Sequence, residues 1–328
     1  MGRQSHITIA QRYRPFSHTE GASSIIPLSD WVVTAYPTRL EFSDFFGAVK
    51  VVELPIKGPM KGFTLEQDLE RQICRFFGVS QEGYFEIHLF VDQEDNFLMM
   101  KWARGAEKKG EKVRLVELSP PQATLKFRER ISLGSSKKQD VDLMWRRAEL
   151  VEILPILYVL SQNVRFPSDQ KLTHLPQNEE QFSQFIKVGF DSIFVPKRND
   201  ERFLGIFCET IPETGSPLQR LKEFGQAFRS LFITEEEGKI ALLPKLPKTF
   251  LSGRFLGAKI DGAKIDFEWR KGELRSVIIS PEKDGTISFI WPDEIRAFRI
   301  DKREGIKPKA LQIVLKAGKK TVIDKFQK

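Results

Sequence analysis

Cysteine and histidine are scarce in this chain, which has two Cys and four His among 328 residues. Two cysteines cannot supply a disulfide framework, so nothing in the sequence requires an oxidising compartment. A structural zinc site normally takes four Cys or His ligands, and few are available here. We therefore expect neither a disulfide scaffold nor a metal site, and the sequence predicts no cofactor.

Sequence motifs for phosphate binding and for serine hydrolases are also missing. No phosphate loop of the form GxxxxGK(S/T) occurs, no GxGxxG opens a helix after a strand, and there is no GxSxG elbow. The first two motifs place backbone N–H groups around phosphates, and the third exposes a nucleophilic serine. Their absence argues against nucleotide-dependent and serine-hydrolase chemistry.

Long apolar runs are absent as well. The most apolar window covers residues 150–160 and contains Pro155, whereas a membrane-spanning helix needs about 18 apolar residues. The first ten residues contain no apolar segment typical of a secretory signal. We therefore expect a soluble, cytoplasmic protein with no transmembrane segment.

The charge balance is mildly basic, with 52 Lys and Arg against 44 Asp and Glu and a net charge of +8. The basic residues form short clusters interleaved with acids, and no nucleic-acid-binding fingerprint accompanies them. This pattern favours a solvated basic surface and argues against nucleic acid as a partner. A basic interaction module for acidic surfaces or nucleic acid remains an alternative.

Hydrophobic periodicity predicts an extended N-terminal region that reaches to about residue 133. Residues 84–91 alternate between apolar and polar, and residues 97–102 are apolar on both faces, so the turn at 92–96 predicts a hairpin. Residues 64–77 show apolar residues at helical spacing and predict one short helix. Cys74 on that helix is interpreted as structural, because no local pattern supplies a His base; the alternative is a thiol whose pKa is lowered by Arg71 and Arg75.

The middle of the chain changes to a helical pattern. Residues 140–164 predict one long helix, in which Pro155 predicts a kink or a break. A second helix begins at Ser216 and Pro217, which suit the N-cap and the first helical position. Residues 177–188 are a third candidate. The second helix has an apolar face formed by Leu218, Leu221, Phe224, Phe228, Leu231 and Phe232.

From about residue 240 the pattern is extended again. Ile265, Phe267 and Trp269 alternate with charged residues, a turn follows at 271–272, and Asp284-Gly285 predicts another hairpin. The predicted class is α+β, with an N-terminal β-sandwich-like region, a shortened helical middle and a C-terminal antiparallel β-sandwich. The predicted domains are 1–136, 137–239 and 240–328.

A stretch near the start of the C-terminal region resembles a known family. It comprises the leucine- and proline-rich residues 240–247, Ser252-Gly253-Arg254, residues 255–257, the Trp-containing strand 265–269, and Gly272-Glu273-Leu274 with the following strand 276–280. It is similar to the junction between the helical barrel and the C-terminal β-sandwich of α-L-fucosidase-like glycoside hydrolases. The resemblance implies an N-terminal sandwich, linker helices and a toroid of six helical hairpins.

The chain departs from that family in length. Twelve toroid helices of about 11 residues each exceed roughly 130 residues before any loops, while about 100 residues lie between the two β regions here. None of the family's catalytic carboxylate motifs matches a position of this sequence. We therefore expect a degenerate relative that lacks a complete toroid.

Three acidic residues are candidates for catalysis, since inverting glycosidases use two carboxyl groups. Glu129 lies in phase with the apolar face of a predicted strand, where burial would raise its pKa or require an Arg partner. Its alternative is an ion pair at a strand edge. Asp200 and Glu209 belong to a segment in which Arg198 and Asn199 offer groups that bind sugar hydroxyls. A polar turn is the alternative there.

Two further positions are candidates for ligand binding near the N-terminus. Arg14 and His18 lie in a segment of cations and rings that would line a carbohydrate groove by ring stacking and bidentate arginine contacts. The alternative is a surface pair between His18 and Glu20. Trp145 is a candidate stacking platform.

These observations predict a degenerate glycoside-hydrolase-like protein that binds a carbohydrate or a protein. One alternative is an active glycosidase that uses a carboxylate pair from Glu129, Asp200 and Glu209. The second alternative is the basic interaction module. The sequence makes no prediction of the oligomeric state.

Overall fold

The computed structural model describes residues 16–68, 71–105, 108–118, 129–133, 153–164, 217–236, 238–248, 250–308 and 312–328. The chain divides into two compact units. The N-terminal unit comprises Met1–Thr124 and Leu160–Phe224, and the C-terminal unit comprises Leu125–Val159 and Gly225–Lys328. The three predicted domains remain a prediction.

The N-terminal unit contains two antiparallel sheets. Ten strands are described: β1 Phe16–Ser17, β2 Ala22–Ile25, β3 Trp31–Tyr36, β4 Arg39–Asp44, β5 Val49–Glu53, β6 Lys61–Asp68, β7 Ile73–Ser80, β8 Gly83–Asp92, β9 Phe97–Arg104 and β10 Lys112–Glu117. A six-stranded sheet has the order β1-β6-β7-β8-β9-β10, and a four-stranded sheet has the order β2-β3-β4-β5.

The predicted hairpin of residues 84–102 is confirmed. β8 pairs with β9 and Asp92 lies opposite Phe97, so the turn falls where the sequence places it. Phe85, Ile87 and Leu89 are buried on one face of β8. The alternation of apolar and polar residues therefore reflects a strand that has one face in the core.

The predicted helix at 64–77 is wrong, because this segment forms β6 and β7, which pair antiparallel. Leu65 lies on β6 and Phe76 on β7, and the register places them opposite each other. Two strands joined by a short turn can reproduce a four-residue apolar spacing by coincidence. The alternation within each strand decides the structure here, since Leu65, Cys74 and Phe76 are all fully buried.

The two sheets of the N-terminal unit meet at a small buried polar contact. Gln67 Nε2 on β6 donates to the Ile25 carbonyl oxygen on β2 at 2.6 Å. The Cys74 thiol on β7 lies 3.4 Å from the Ser24 hydroxyl and from the same carbonyl. These bonds satisfy polar groups that would otherwise destabilise the apolar interior.

The C-terminal unit is also rich in strands. Those described are β11 Arg130–Leu133, β12 Ile233–Glu236, β13 Lys239–Leu242, β14 Ser252–Ile260, β15 Ala263–Arg270, β16 Glu273–Pro281, β17 Gly285–Ile290, β18 Ala297–Ile300, β19 Arg303–Ile306, β20 Gln312–Leu315 and β21 Thr321–Gln327. A seven-stranded sheet has the order β11-β14-β15-β16-β21-β18-β19, and a four-stranded sheet has the order β12-β13-β17-β20.

The strand prediction for this region is confirmed at β15 and corrected at β17. Ile265, Phe267 and Trp269 are buried, and Lys271 and Gly272 form the β15–β16 turn with positive φ angles. Asp284-Gly285 is not a hairpin turn, because β17 pairs with β20 and, in parallel, with β13 rather than with β16. The β-rich character predicted for both terminal regions is therefore confirmed, while the α+β class and the sandwich arrangement of either region remain predictions.

Two helices are described, α1 Ile153–Ser161 and α2 Pro217–Ser230, and the division between the units falls within each. Pro155 lies in the first turn of α1, where its missing N–H removes no intrahelical bond. α2 begins at Pro217 as predicted, and its predicted apolar face is buried. Residues 140–152 and the candidate helix 177–188 lie outside the described residues. At 9 and 14 residues, both helices are shorter than the 18 residues required of a membrane span.

Aromatic rings form the core of the C-terminal unit. The Phe232 ring lies 5.3 Å from the Trp269 ring and 6.1 Å from the Phe250 ring. Trp269 also donates its indole N–H to the Phe250 carbonyl oxygen at 2.8 Å. Each buried ring removes about 150–250 Å² from water, so these rings contribute much of the stabilisation.

Candidate functional site

A dense group of polar side chains lies on one face of the six-stranded sheet. Strand alternation places Leu65, Phe76 and Ile87 in the core, so their neighbours project from the opposite face. The register sets β6, β7 and β8 side by side there. We call this set of side chains the Arg75 cluster: Glu66, Arg75, Tyr84, Glu86 and His88.

Arg75 connects two carboxylates at the centre of the cluster. Its Nη1 donates to Glu66 Oε1 at 2.6 Å and its Nε donates to Glu86 Oε1 at 2.8 Å. His88 Nε2 lies 2.7 Å from the same Glu86 oxygen. The Tyr84 hydroxyl donates to Glu86 Oε2 at 3.2 Å. Glu86 therefore accepts hydrogen bonds from three side chains on two neighbouring strands.

The electrostatics follow from this geometry. Burial alone would raise the pKa of Glu86, but the hydrogen bonds from Arg75 and His88 outweigh it and lower that pKa to about 2. Burial and the negative charge of Glu86 raise the pKa of the Tyr84 hydroxyl. Glu86 is thus an ionised carboxylate, and Tyr84 a neutral hydrogen-bond donor, at neutral pH.

Aromatic rings border the cluster. The Arg75 guanidinium carbon lies 5.2 Å from the Phe77 ring centroid, and the Phe77 and Tyr84 rings are 6.3 Å apart. Arg104 lies 5.9 Å from the Tyr84 ring centroid and 3.7 Å from Glu86 Oε2. Tyr84 is 41% exposed and the Arg104 side chain 69% exposed, so solvent reaches this edge.

His18, a predicted ligand-binding residue, lies on the same sheet. Its Nδ1 is 3.0 Å from the Thr64 hydroxyl and 3.1 Å from the Phe63 carbonyl oxygen. Thr64 pairs with Phe77 and Glu66 pairs with Arg75, so His18 borders the Arg75 cluster on the side of β6. The structure thus brings one predicted residue next to a cluster that the sequence did not predict.

Glu129, a predicted catalytic residue, has a different environment in the C-terminal unit. It immediately precedes β11 and is 6% exposed. Arg229 Nε donates to its Oε2 at 3.0 Å, and the Tyr158 hydroxyl donates to the same oxygen. Arg229 Nη2 and the Lys259 backbone N–H donate to Oε1 at 3.3 and 2.6 Å. We call this set the Glu129 cluster.

The donors around Glu129 set its chemistry. Burial and the charge of Glu129 raise the pKa of the Tyr158 hydroxyl well above its ordinary value. Burial would lower the pKa of Arg229, but its hydrogen bond to Glu129 raises it. A catalytic carboxyl must reach a substrate, and both oxygens of Glu129 are already occupied by donors. The arrangement suits the predicted alternative, an ion pair at a strand edge, and its catalytic role stays a prediction.

The other candidate residues cannot be placed. Asp200 and Glu209 lie outside the described residues, as do the four remaining ligand-binding candidates, Arg14, Trp145, Arg198 and Asn199. In the part of the chain that the structure describes, no group of three or more His, Cys, Asp or Glu side chains could hold a metal ion.

Cys74 was expected on a helix beside two arginines, but it lies on β7 and points into the core. Burial raises the pKa of its thiol to about 12, with a small opposing effect of the Ser24 hydroxyl. This matches the structural interpretation of Cys74, since a reactive cysteine needs a lowered pKa.

The sequence did not predict the Arg75 cluster because Arg75 was assigned to the helix that does not form. The only available signal was the alternation of Tyr84, Glu86 and His88 along β8, which predicts that the three share a face. Their partners on β6 and β7 become visible only once both segments are strands.

No protein-family model matches the chain, and no curated protein matches it. The resemblance to α-L-fucosidase-like enzymes therefore remains a prediction.

Proposed function

We propose that this protein binds carbohydrate without hydrolysing it and is a degenerate relative of six-hairpin glycoside hydrolases. The observation that carries the proposal is the Arg75 cluster, with its bordering rings, on one face of the six-stranded sheet, where Tyr84 and Arg104 are exposed. The proposed site comprises the cluster together with Phe77 and Arg104.

The chemistry of the cluster suits sugar hydroxyls. Each hydroxyl can donate and accept a hydrogen bond, while a carboxylate only accepts and a guanidinium only donates. Glu86 and Arg104 lie 3.7 Å apart and offer both functions side by side. The exposed ring of Tyr84 offers an apolar surface for the C–H face of a pyranose. Ligand sites commonly combine such rings with a few fixed polar groups.

Two further features support the non-catalytic part of the proposal. A general acid must be protonated and within reach of the substrate, whereas Glu129 is paired with Arg229 in a buried network. The length available between the β regions also remains too short for a full toroid of about twelve helices of ordinary length.

The proposed ancestry is supported by the local arrangement of the matched residues. Ser252, Gly253 and Arg254 lie on β14 and pair with Arg270, Trp269 and Glu268 on β15. These residues of the matched motif therefore belong to one hairpin, which contains the buried Trp269. A β-sandwich for each β-rich region belongs to the same proposal.

The test is calorimetric titration of the full chain with neutral hexasaccharides from cellulose, xylan, starch and laminarin. We expect at least one to bind, and Tyr84→Ala to weaken that binding about tenfold through loss of stacking, roughly 1.4 kcal/mol. Tyr36→Ala is the matched control. Its ring also lies beside an arginine, with Arg39 at 4.7 Å, but on the four-stranded sheet.

The outcomes separate the three functions. Failure of all four sugars to bind, or equal weakening by both tyrosine variants, would overturn the proposal. Release of product from aryl glycosides, abolished by Glu129→Gln, would support the glycosidase alternative instead. Binding only to polyanions, with a steep loss of affinity in salt, would support the basic interaction module.

A further inference from the structure

A polar groove lies in the C-terminal unit, along β11, β14 and β15 of the seven-stranded sheet. Register places Ser132 of β11 opposite Arg254 of β14, and Arg254 opposite Glu268 of β15. Ser252 lies opposite Arg270 in the next row. These strands line a groove of about 480 Å³, which we call the Arg270 groove.

One glycine of the lining allows a close approach of its neighbours. A Cβ atom at Gly253 would lie 2.4 Å from the Trp269 ring and 2.6 Å from the Ser132 carbonyl oxygen. A side chain at this position would therefore displace either the ring or β11.

The charges in the groove favour an anion. Arg254 donates to Glu268 at 3.2 Å, and both side chains are at least half exposed. Arg270 is exposed and forms no ion pair with the described part of the chain. The groove thus carries two cations and one anion. A net charge of +1 suits a ligand with a single carboxylate, which an arginine binds with two parallel hydrogen bonds.

The remaining groups favour a ligand rich in hydroxyls. Ser132 and Ser252 contribute hydroxyl groups, and Glu268 contributes acceptor oxygens for hydroxyl donors. Glu268 would repel a doubly charged phosphate more strongly than a carboxylate. Leu133, Leu256, Gly253 and Trp269 complete the lining. The volume lies within the roughly 300–1,000 Å³ of small-ligand sites.

We propose that the Arg270 groove binds an acidic saccharide through the carboxylate of a hexuronic acid residue. Arg270 binds the carboxylate, and the Arg254–Glu268 pair with the two serines binds ring hydroxyls. The groove uses none of the residues of the Arg75 cluster, so this inference stands independently of the proposed function.

The experiment is calorimetric titration with trimers of galacturonate and of glucuronate, each compared with its methyl ester. The ester keeps the shape of the sugar and removes its charge. We expect one trimer to bind and its ester to bind at least tenfold more weakly. Arg270→Ala should weaken binding of the free acid about tenfold. Arg270→Lys should weaken it less than Arg270→Ala does, because lysine keeps the charge but lacks the planar guanidinium that donates two parallel hydrogen bonds.

The control variant is Arg296→Ala, which removes an exposed arginine of the same unit that has no ion pair among the described residues. It should leave the affinity unchanged. The inference is overturned if neither trimer binds, if the esters bind as well as the acids, or if Arg270→Ala has no effect. Tighter binding of inorganic phosphate or of an acidic peptide would also overturn it.

Discussion

The N-terminal and C-terminal units each contain a carboxylate that accepts hydrogen bonds from an arginine and a tyrosine. The two networks differ in the solvent exposure of the side chains around the carboxylate. Around Glu86, Tyr84 is 41% exposed and the Arg104 side chain 69% exposed. Around Glu129, Tyr158 is 2% exposed and a backbone N–H takes a position that a ligand would need. The same side-chain chemistry is therefore accessible to solvent in the first network and enclosed in the second.

The largest effect is expected for Glu129→Gln, which tests whether the enclosed network is structural. The variant leaves the Arg229 cation without its partner, and breaking a buried pair costs about 3–5 kcal/mol. Denaturant unfolding of the full chain, followed by circular dichroism, would measure the loss of free energy.

Glu268→Gln serves as its control. This variant breaks the half-exposed pair with Arg254, and such pairs contribute about 0–1 kcal/mol. Equal effects of the two variants would show that the Glu129 cluster is not a structural network.

Removing one hydroxyl from each network makes the comparison direct. Tyr158→Phe deletes a buried donor to a charged carboxylate and should lower the free energy of unfolding by about 1.5–3 kcal/mol. Tyr84→Phe deletes the equivalent donor at an exposed edge, where water replaces it, and should lower stability by roughly 0.5 kcal/mol. Denaturation midpoints would measure both, and a larger loss for Tyr84→Phe would reverse the comparison.

Packing can be compared with a second pair of variants. Gly253→Ala brings a methyl group against the rigid Trp269 ring at 2.4 Å, and overpacking costs about 1–3 kcal/mol. At Gly78 of the N-terminal unit the nearest atom is the Met60 sulfur at 3.1 Å, on a flexible side chain that can move away. Gly78→Ala should cost less, roughly 1 kcal/mol or below, in the same unfolding assay. Comparable losses would show that rigidity of the neighbour does not decide the cost.

The parts of the fold predictable from sequence are those in which local pattern and tertiary burial agree. The alternation along β8 and β15, the turn at Lys271 and the start of α2 at Pro217 all have this property. Each is decided by residues within a few positions of one another.

Features that depend on residues far apart in sequence could not be predicted. The segment of β6 and β7 was predicted as a helix, because an apolar residue at about every fourth position fits both a helix and this pair of strands. Only the pairing of the strands distinguishes the two structures. The parallel pairing of β13 with β17 joins segments about fifty residues apart, which no local pattern encodes. For the same reason Glu129 was predicted to have either a raised pKa or an Arg partner, and Arg229, 100 positions away, was not identified.

A small effect is expected for Glu86→Gln, and acid should abolish it. At neutral pH the variant loses the charge that Arg75 and His88 stabilise, at a cost of roughly 1 kcal/mol, because Arg75 keeps its ion pair with Glu66. The pKa of Glu86 is lowered from 4.5 to about 2 in the folded protein. A lowered pKa means that the contribution of the carboxylate is fully present above pH 4.5 and is lost as the pH falls towards 2.

The difference in unfolding free energy between the parent and the variant should therefore be constant from pH 7 to about pH 5 and then shrink. Chemical denaturation at a series of pH values would measure it, and a difference that persists at pH 2 would show that Glu86 stabilises the face by shape rather than by charge.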